Sequence, residues 1–154
     1  MSDVLQRLTE AGFKLPILPS PTGKFKPYVI SGNHIYISGQ LPLGFGDIKE
    51  HIGQLGKDCD IEQGKKIAEI VGLNILYQAA AACDGDLDKI KRCVKLTVFV
   101  NCNHTFTDQP TIANVISELM LIAFGQKGEH ARSAIGVEQL PFGVAVEAEA
   151  IFEI

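Results

Sequence analysis

The chain has 154 residues, 46% of them apolar and 21% charged, enough to bury one sizeable core without disulfide or metal support and too apolar for disorder. Fourteen Lys and Arg stand against 18 Asp and Glu, for a net charge of −4; this argues against a nucleic-acid partner, whose phosphates call for a basic footprint. No run reaches the ~18 apolar residues of a membrane span and no basic segment followed by an apolar run opens the chain, so no membrane partner and a cytoplasmic location are expected.

A single domain is expected over residues 1–154, with an N-terminal helix and proline-rich arm over 1–26 and a core over 27–154. Val4, Leu5 and Leu8 predict a short amphipathic helix over 3–11 that ends near Gly12. Pro16, Pro19, Pro21 and Gly23 then read as an extended arm. Strands are predicted over 28–30 and 35–41, joined as a hairpin by Ser31-Gly32-Asn33. After Pro42 a glycine-punctuated loop, from Gly44 to Gly56, runs on to Asp60, the N-cap of a helix reaching about Cys83. Ala68, Val71, Ile75 and Ala79, widened by Ile67, Ile70 and Leu76, make so broad an apolar stripe that this helix should lie on a sheet.

The segment from Cys93 to Val100 alternates, with Val94, Leu96, Val98 and Val100 on one face. A second long helix should start at Thr107 or Asp108, tolerate Pro110 in its first turn, bury Ile112, Ile116 and Leu119, and stop at Gly125 and Gly128. Strands near 131–139 and 144–152, joined by Leu140-Pro141-Phe142-Gly143, close the chain. The order β-β-α-β-α-β-β describes an α+β architecture, a mixed β-sheet covered on one face by two helices. Its other face needs a cover, which points to oligomerisation.

Few residue groups point to chemistry. Gly44-Phe45-Gly46 lacks the third glycine of a dinucleotide fingerprint and reads as a tight turn. His34, His51, His104 and His130 show no metal-ligand spacing and read as surface or loop histidines; neither a metal nor an organic cofactor is implied. Cys59, Cys83, Cys93 and Cys102 form no C-x-x-C pair and read as free thiols. Cys93 and Cys102 could approach His104, but nothing supplies an orienting group for a nucleophile.

Glu147 and Glu149 alternate onto one face of the last strand, either as an acid–base pair or as a solvated face. Arg132 is one of three arginines and opens the otherwise uncharged Ala131-Arg132-Ser133-Ala134-Ile135-Gly136-Val137. It offers a planar fork for a carboxylate, or else a salt bridge to a nearby glutamate. If the last two strands form a simple hairpin, Arg132 and Glu147 fall about five residues apart, roughly 16 Å, and a site using both needs a second chain or a different topology.

Together, Ser38-Gly39-Gln40-Leu41-Pro42, Lys95-Leu96-Thr97-Val98-Phe99-Val100, Asn114, Ala131-Arg132-Ser133, Leu140-Pro141 and Val146 to Ile151 resemble the Rid family, also called YjgF or L-PSP endoribonuclease. The resemblance runs from about residue 27 to the C-terminus. It implies a chorismate-mutase-like fold and a homotrimer around a central β-barrel, with three clefts between subunits. In deaminases of the family the motif arginine binds the carboxylate of a 2-imino or 2-enamino acid, and water attacks the imine carbon to release ammonia and a 2-oxo acid. Arg132 matches that arginine.

By the same resemblance Glu147 positions or activates water, while Asn114, Ser38 and Gly39 line the cleft, and Tyr28 is the match for the family's tyrosine near it. Ala134 stands where many deaminase members carry a cysteine, and with the arm and the Gly44–Gly56 loop it marks a less characterised branch. Three functions follow as expectations: hydrolysis of 2-imino or 2-enamino acids, non-catalytic binding of a small carboxylated metabolite, and, opposed by the acidic balance, endoribonuclease activity.

Overall fold

Each predicted element forms for an identifiable local reason in the computed structural model, which describes residues 2–154. The Ser2 side chain accepts from Leu5 N and starts α1 (Asp3–Glu10), whose buried Val4 and Leu8 join the core. Asp88 secures this helix from outside by accepting from the backbone N–H groups of Asp3 and Val4 at 2.9 and 3.1 Å, which satisfies two otherwise orphaned donors. The proline-rich arm leads to β1 (Tyr28–Ser31) and β2 (His34–Gln40), paired antiparallel around Gly32, whose φ of 60° suits a residue without Cβ. Asp60 caps α2 (Ile61–Ala82) through a capping box: it accepts from Gln63 N at 2.8 Å while Gln63 accepts from Asp60 N at 3.1 Å.

The remaining elements are β3 (Arg92–Asn101), α3 (Gln109–Phe124), β4 (Ala131–Val137) and β5 (Val146–Glu153). The five strands run in the order β1-β2-β5-β3-β4 and only β3 and β4 are parallel. The last two strands therefore do not form the hairpin considered from the sequence, because β3 lies between them. The cause is α3: a helix that lays its apolar stripe on the sheet brings the chain back parallel to the strand it left, so β4 takes the outer side of β3. β5 then fills the central place between β2 and β3, where Val146, Ala148, Ala150 and Phe152 are all buried.

α2 and α3 cover one face of the sheet over Ile35, Ile37, Leu96, Val98 and Val100. They approach closely because α2 carries Gly72, where a Cβ would lie 2.6 Å from Leu119 Cδ1. Cys93, and not Val94, joins the buried face: a bulge shifts the register between Cys93 and Lys95, which breaks the strict alternation expected from the sequence. The opposite face carries no layer, and on it Val29, Tyr36 and Ile135 are 52%, 47% and 42% exposed. Among the described residues no helix is long and apolar enough to cross a membrane.

Candidate functional site

Arg132 lies on β4 opposite Leu96, which puts it on the helix-covered face at the sheet's outer edge. Its Nη1 donates to Asn114 Oδ1 at 2.7 Å and to Ser117 Oγ at 3.1 Å, two acceptors three residues apart on α3. Both partners are neutral. Among the described residues the ion pairs are Lys65–Glu62 and Lys89–Asp84, so the salt bridge weighed for Arg132 does not form. Its Nε and Nη2, the edge that can grip a carboxylate with two parallel hydrogen bonds, have no hydrogen-bond partner among the described residues.

Ser117 is held in turn by His130, whose Nε2 lies 2.9 Å from Ser117 Oγ. The other ring nitrogen, Nδ1, is 2.6 Å from the Gly128 carbonyl. A carbonyl oxygen only accepts, so this bond places the proton on Nδ1 and leaves Nε2 of the neutral ring to accept the Ser117 hydroxyl. Reading the sequence assigned no role to Ser117 and treated His130 as a surface or loop residue. The legible signal was spacing: Ser117 follows Asn114 by three on a helix, and His130 precedes Arg132 by two on an extended segment.

Glu147 occupies the other side of the sheet. On β5 it pairs with Phe99 of β3, and its half-buried carboxylate sits over Gly39, where any Cβ would overlap Glu147 Oε1. Gly39 belongs to an irregularity of β2 that shifts the register between Ile37 and Gln40; Ser38 is anchored there through its Oγ, which donates to Lys26 O at 2.6 Å. Burial, and secondarily the charge of Glu149, push the Glu147 carboxyl above the ordinary carboxylate range. Next to it, Tyr36, Ser38, Lys95, Thr97 and Glu149 line a shallow groove on the open face.

Within one chain these groups form two clusters. Arg132 and Glu147 are three register positions and two strands apart, about 14 Å, and point to opposite faces. Asn114 belongs with Arg132, and Ser38 and Gly39 belong with Glu147. Ala134 shares the face of Arg132 and packs partly against the core. Tyr28 lies on β1 at the far edge of the sheet, on the helix side, where its hydroxyl donates to Ala81 O at 3.3 Å.

The other candidates lead away from chemistry. Cys93 is fully buried and its thiol is pushed up to about 12 by desolvation, while Cys59 is raised to about 11 by burial and then by the charges of Asp60 and Asp58. Cys102 accepts a weak bond from Gln109 Nε2 at 3.5 Å. His51, expected at the surface or in a loop, is buried with Nε2 2.8 Å from Phe45 O and ties the glycine-rich loop together. Among the described residues no three His, Cys, Asp or Glu side chains could hold a metal ion.

Comparison with known proteins agrees with this architecture. Residues 5–146 match the family described as "YjgF/chorismate mutase-like, putative endoribonuclease". Protein TCP17 of Trypanosoma cruzi is 45% identical over 152 residues, 97% of this chain and 91% of that protein. A 2-iminobutanoate/2-iminopropanoate deaminase of Dermatophagoides farinae is 27% identical over 139 residues, 90% of this chain and 92% of that one. The crystal structure of Atu1372 from Agrobacterium tumefaciens superposes with a TM-score of 0.89 at 42% identity, covering 98% of this chain and 92% of that one. A match over nearly the whole sheet-and-helix layer, together with the resemblance carried by the motifs around Ser38, Arg132 and Glu147, has one meaning: the chain belongs to the YjgF family.

Proposed function

We propose that the protein hydrolyses 2-imino or 2-enamino acids to 2-oxo acids and ammonia, in clefts formed where copies of the chain meet as a trimer around a central barrel. The observation that carries this reading is the Nε/Nη2 edge of Arg132, free among the described residues: a cation held in place by two neutral side chains, with no acid among those residues to neutralise it. Such a fork grips the substrate carboxylate and fixes the imine carbon at a set distance from it.

Water then adds to the imine carbon as its C=N bond becomes a C–N single bond. Glu147 takes one proton from that water and passes it to nitrogen, which gives the carbinolamine; it then takes the hydroxyl proton and delivers it to the amino nitrogen as C=O forms and the C–N bond breaks, releasing the 2-oxo acid and ammonia. A carboxyl group raised above its ordinary range suits this shuttle, because its carboxylate form is a stronger base toward water than an ordinary carboxylate. The two clusters of one chain face opposite ways, so a site that uses both takes Arg132 from one copy and Glu147 from another. The uncovered face with Val29, Tyr36 and Ile135 supports such an assembly.

The test is ammonia release from freshly generated 2-imino acids. Wild-type protein should accelerate it and Arg132→Ala should lower kcat/KM by at least about 100-fold, the loss of two charge-assisted hydrogen bonds. Undiminished activity of Arg132→Ala overturns the assignment of this residue. Binding of the 2-oxo acid without any acceleration by wild type replaces the enzyme with a binding module for small carboxylated metabolites.

A further inference from the structure

We propose that Ser117 and His130 are positioning residues of the carboxylate site, acting on substrate only through Arg132. The inference rests on the reading of Arg132 given above and extends it to two side chains outside the family motif. Four hydrogen bonds carry it, each a link between one group and the next.

His130 Nδ1–H donates to Gly128 O, which fixes the tautomer; Nε2 accepts the Ser117 hydroxyl; Ser117 Oγ accepts one Nη1–H of Arg132; and Asn114 Oδ1 accepts the other. Both Nη1 protons are thereby committed, and the plane of the guanidinium is set by two acceptors on a rigid helix. What remains free is the Nε/Nη2 edge, the one matched to a carboxylate.

His130 is needed because a helical serine has an alternative. Its hydroxyl readily bonds the carbonyl four residues back, here that of Ala113, and then its lone pairs turn away from the arginine. The structure shows the hydroxyl bonded to the ring instead. An acceptor that draws the Ser117 proton also makes its oxygen a stronger acceptor for Arg132, since hydrogen bonds in series polarise one another. The local sequence enforces this placement: Gly128 is buried, and a Cβ there would collide with the Met120 backbone, so the turn that brings its carbonyl under the ring requires glycine.

Positioning of a carboxylate clamp is felt equally before and during the reaction, so its loss should appear in KM and in product affinity more than in kcat. The experiment measures imine hydrolysis and, by calorimetry, binding of 2-oxobutanoate. Ser117→Ala and His130→Phe, both checked for an unchanged circular dichroism spectrum, should raise KM and Kd about tenfold with kcat altered less than about threefold. Ser117→Thr and His130→Gln, which retain a hydroxyl and an acceptor, should stay within about twofold of wild type, and the double variant Ser117→Ala/His130→Phe should be no worse than either single change.

Independently of any substrate, long-range proton–nitrogen NMR should find His130 as the Nδ1–H tautomer. The Nε2–H tautomer overturns the proposal outright. Wild type that turns over or binds its ligand, beside a His130→Phe variant with unchanged KM and Kd, overturns this proposal and leaves the role of Arg132 standing. Wild type that neither hydrolyses imino acids nor binds 2-oxobutanoate overturns the underlying reading and this one with it.

Discussion

The two faces of the same five strands obey different rules. On the helix side every inward residue of β5 is apolar and buried, and Leu96, Val98 and Val100 beside them are fully enclosed. On the open side the inter-strand neighbours are Tyr36, Thr97, Phe99, Ile135, Glu147, Glu149 and Ile151, a mixture no monomer core would bury and no soluble surface needs. Apolar groups on that face offer burial to a second copy, and the polar ones among them offer chemistry where copies meet. Arg132 is the charged residue on the helix side, and it escapes burial because β4 is an edge strand.

The largest effect follows from placing the same charge on each face. Val98→Asp puts an unpaired carboxylate into the core at a cost of several kcal/mol, a large part of the roughly 5–15 kcal/mol that holds a domain folded. It should give no cooperative melt. Ile135→Asp, on the open face, should retain the wild-type circular dichroism spectrum but run as a monomer in light scattering, where the wild type of the proposed assembly should run as a trimer. A trimeric Ile135→Asp protein, or a monomeric wild type, would separate the open face from assembly and remove the basis for a shared cleft.

How much of this was legible in the sequence differs between the faces in the same way. The element order, the Asp60 cap, the Gly32 turn and the two helical stripes are local patterns, and all of them form as read. The pairing of β3 with β4 is a long-range choice made by α3, and no short-range pattern in Leu140-Pro141-Phe142-Gly143 distinguishes it from a hairpin. Ser117 and His130 were overlooked because they matter through a contact thirteen residues apart that spacing on either element alone does not reveal. Gly39 could be tied to the site by resemblance, but its reason, room for the Glu147 carboxylate, is visible only across the β2–β5 pairing.

Gly39→Ala sharpens the comparison at intermediate size, because it alters the open face without adding charge. Gly39 is absent from the positive-φ positions, so the substitution brings steric overlap with Glu147 and no backbone strain. Relief comes from swinging away the carboxylate, the flexible end of a half-buried side chain, so the fold loses little stability while the carboxylate leaves its place. Turnover of imino acids should fall at least about tenfold in kcat, as expected when a proton-transfer group is misplaced. A Gly39→Ala enzyme with wild-type kcat and a displaced melting temperature would mean that Glu147 serves the fold and not the reaction.

The smallest effects are those of pH. Burial raises the Glu147 carboxyl above 4.5, its ordinary value, so between that pH and the raised one the folded chain holds a proton the unfolded chain has released. Its contribution to stability is therefore complete below about pH 4.5 and is lost as pH rises through the folded value. Glu147→Gln cannot ionise, so its melting temperature should gain on wild type progressively above pH 4.5 and level off once the native carboxyl is fully charged. That gain should accompany a loss of turnover, the sign of a group kept for function at the expense of stability. Glu149→Gln removes only the second cause of the shift, so the acidic limb of the rate profile should move to lower pH while burial keeps it above the ordinary carboxylate range. An acidic limb that stays in place in Glu149→Gln would assign it to a group other than Glu147.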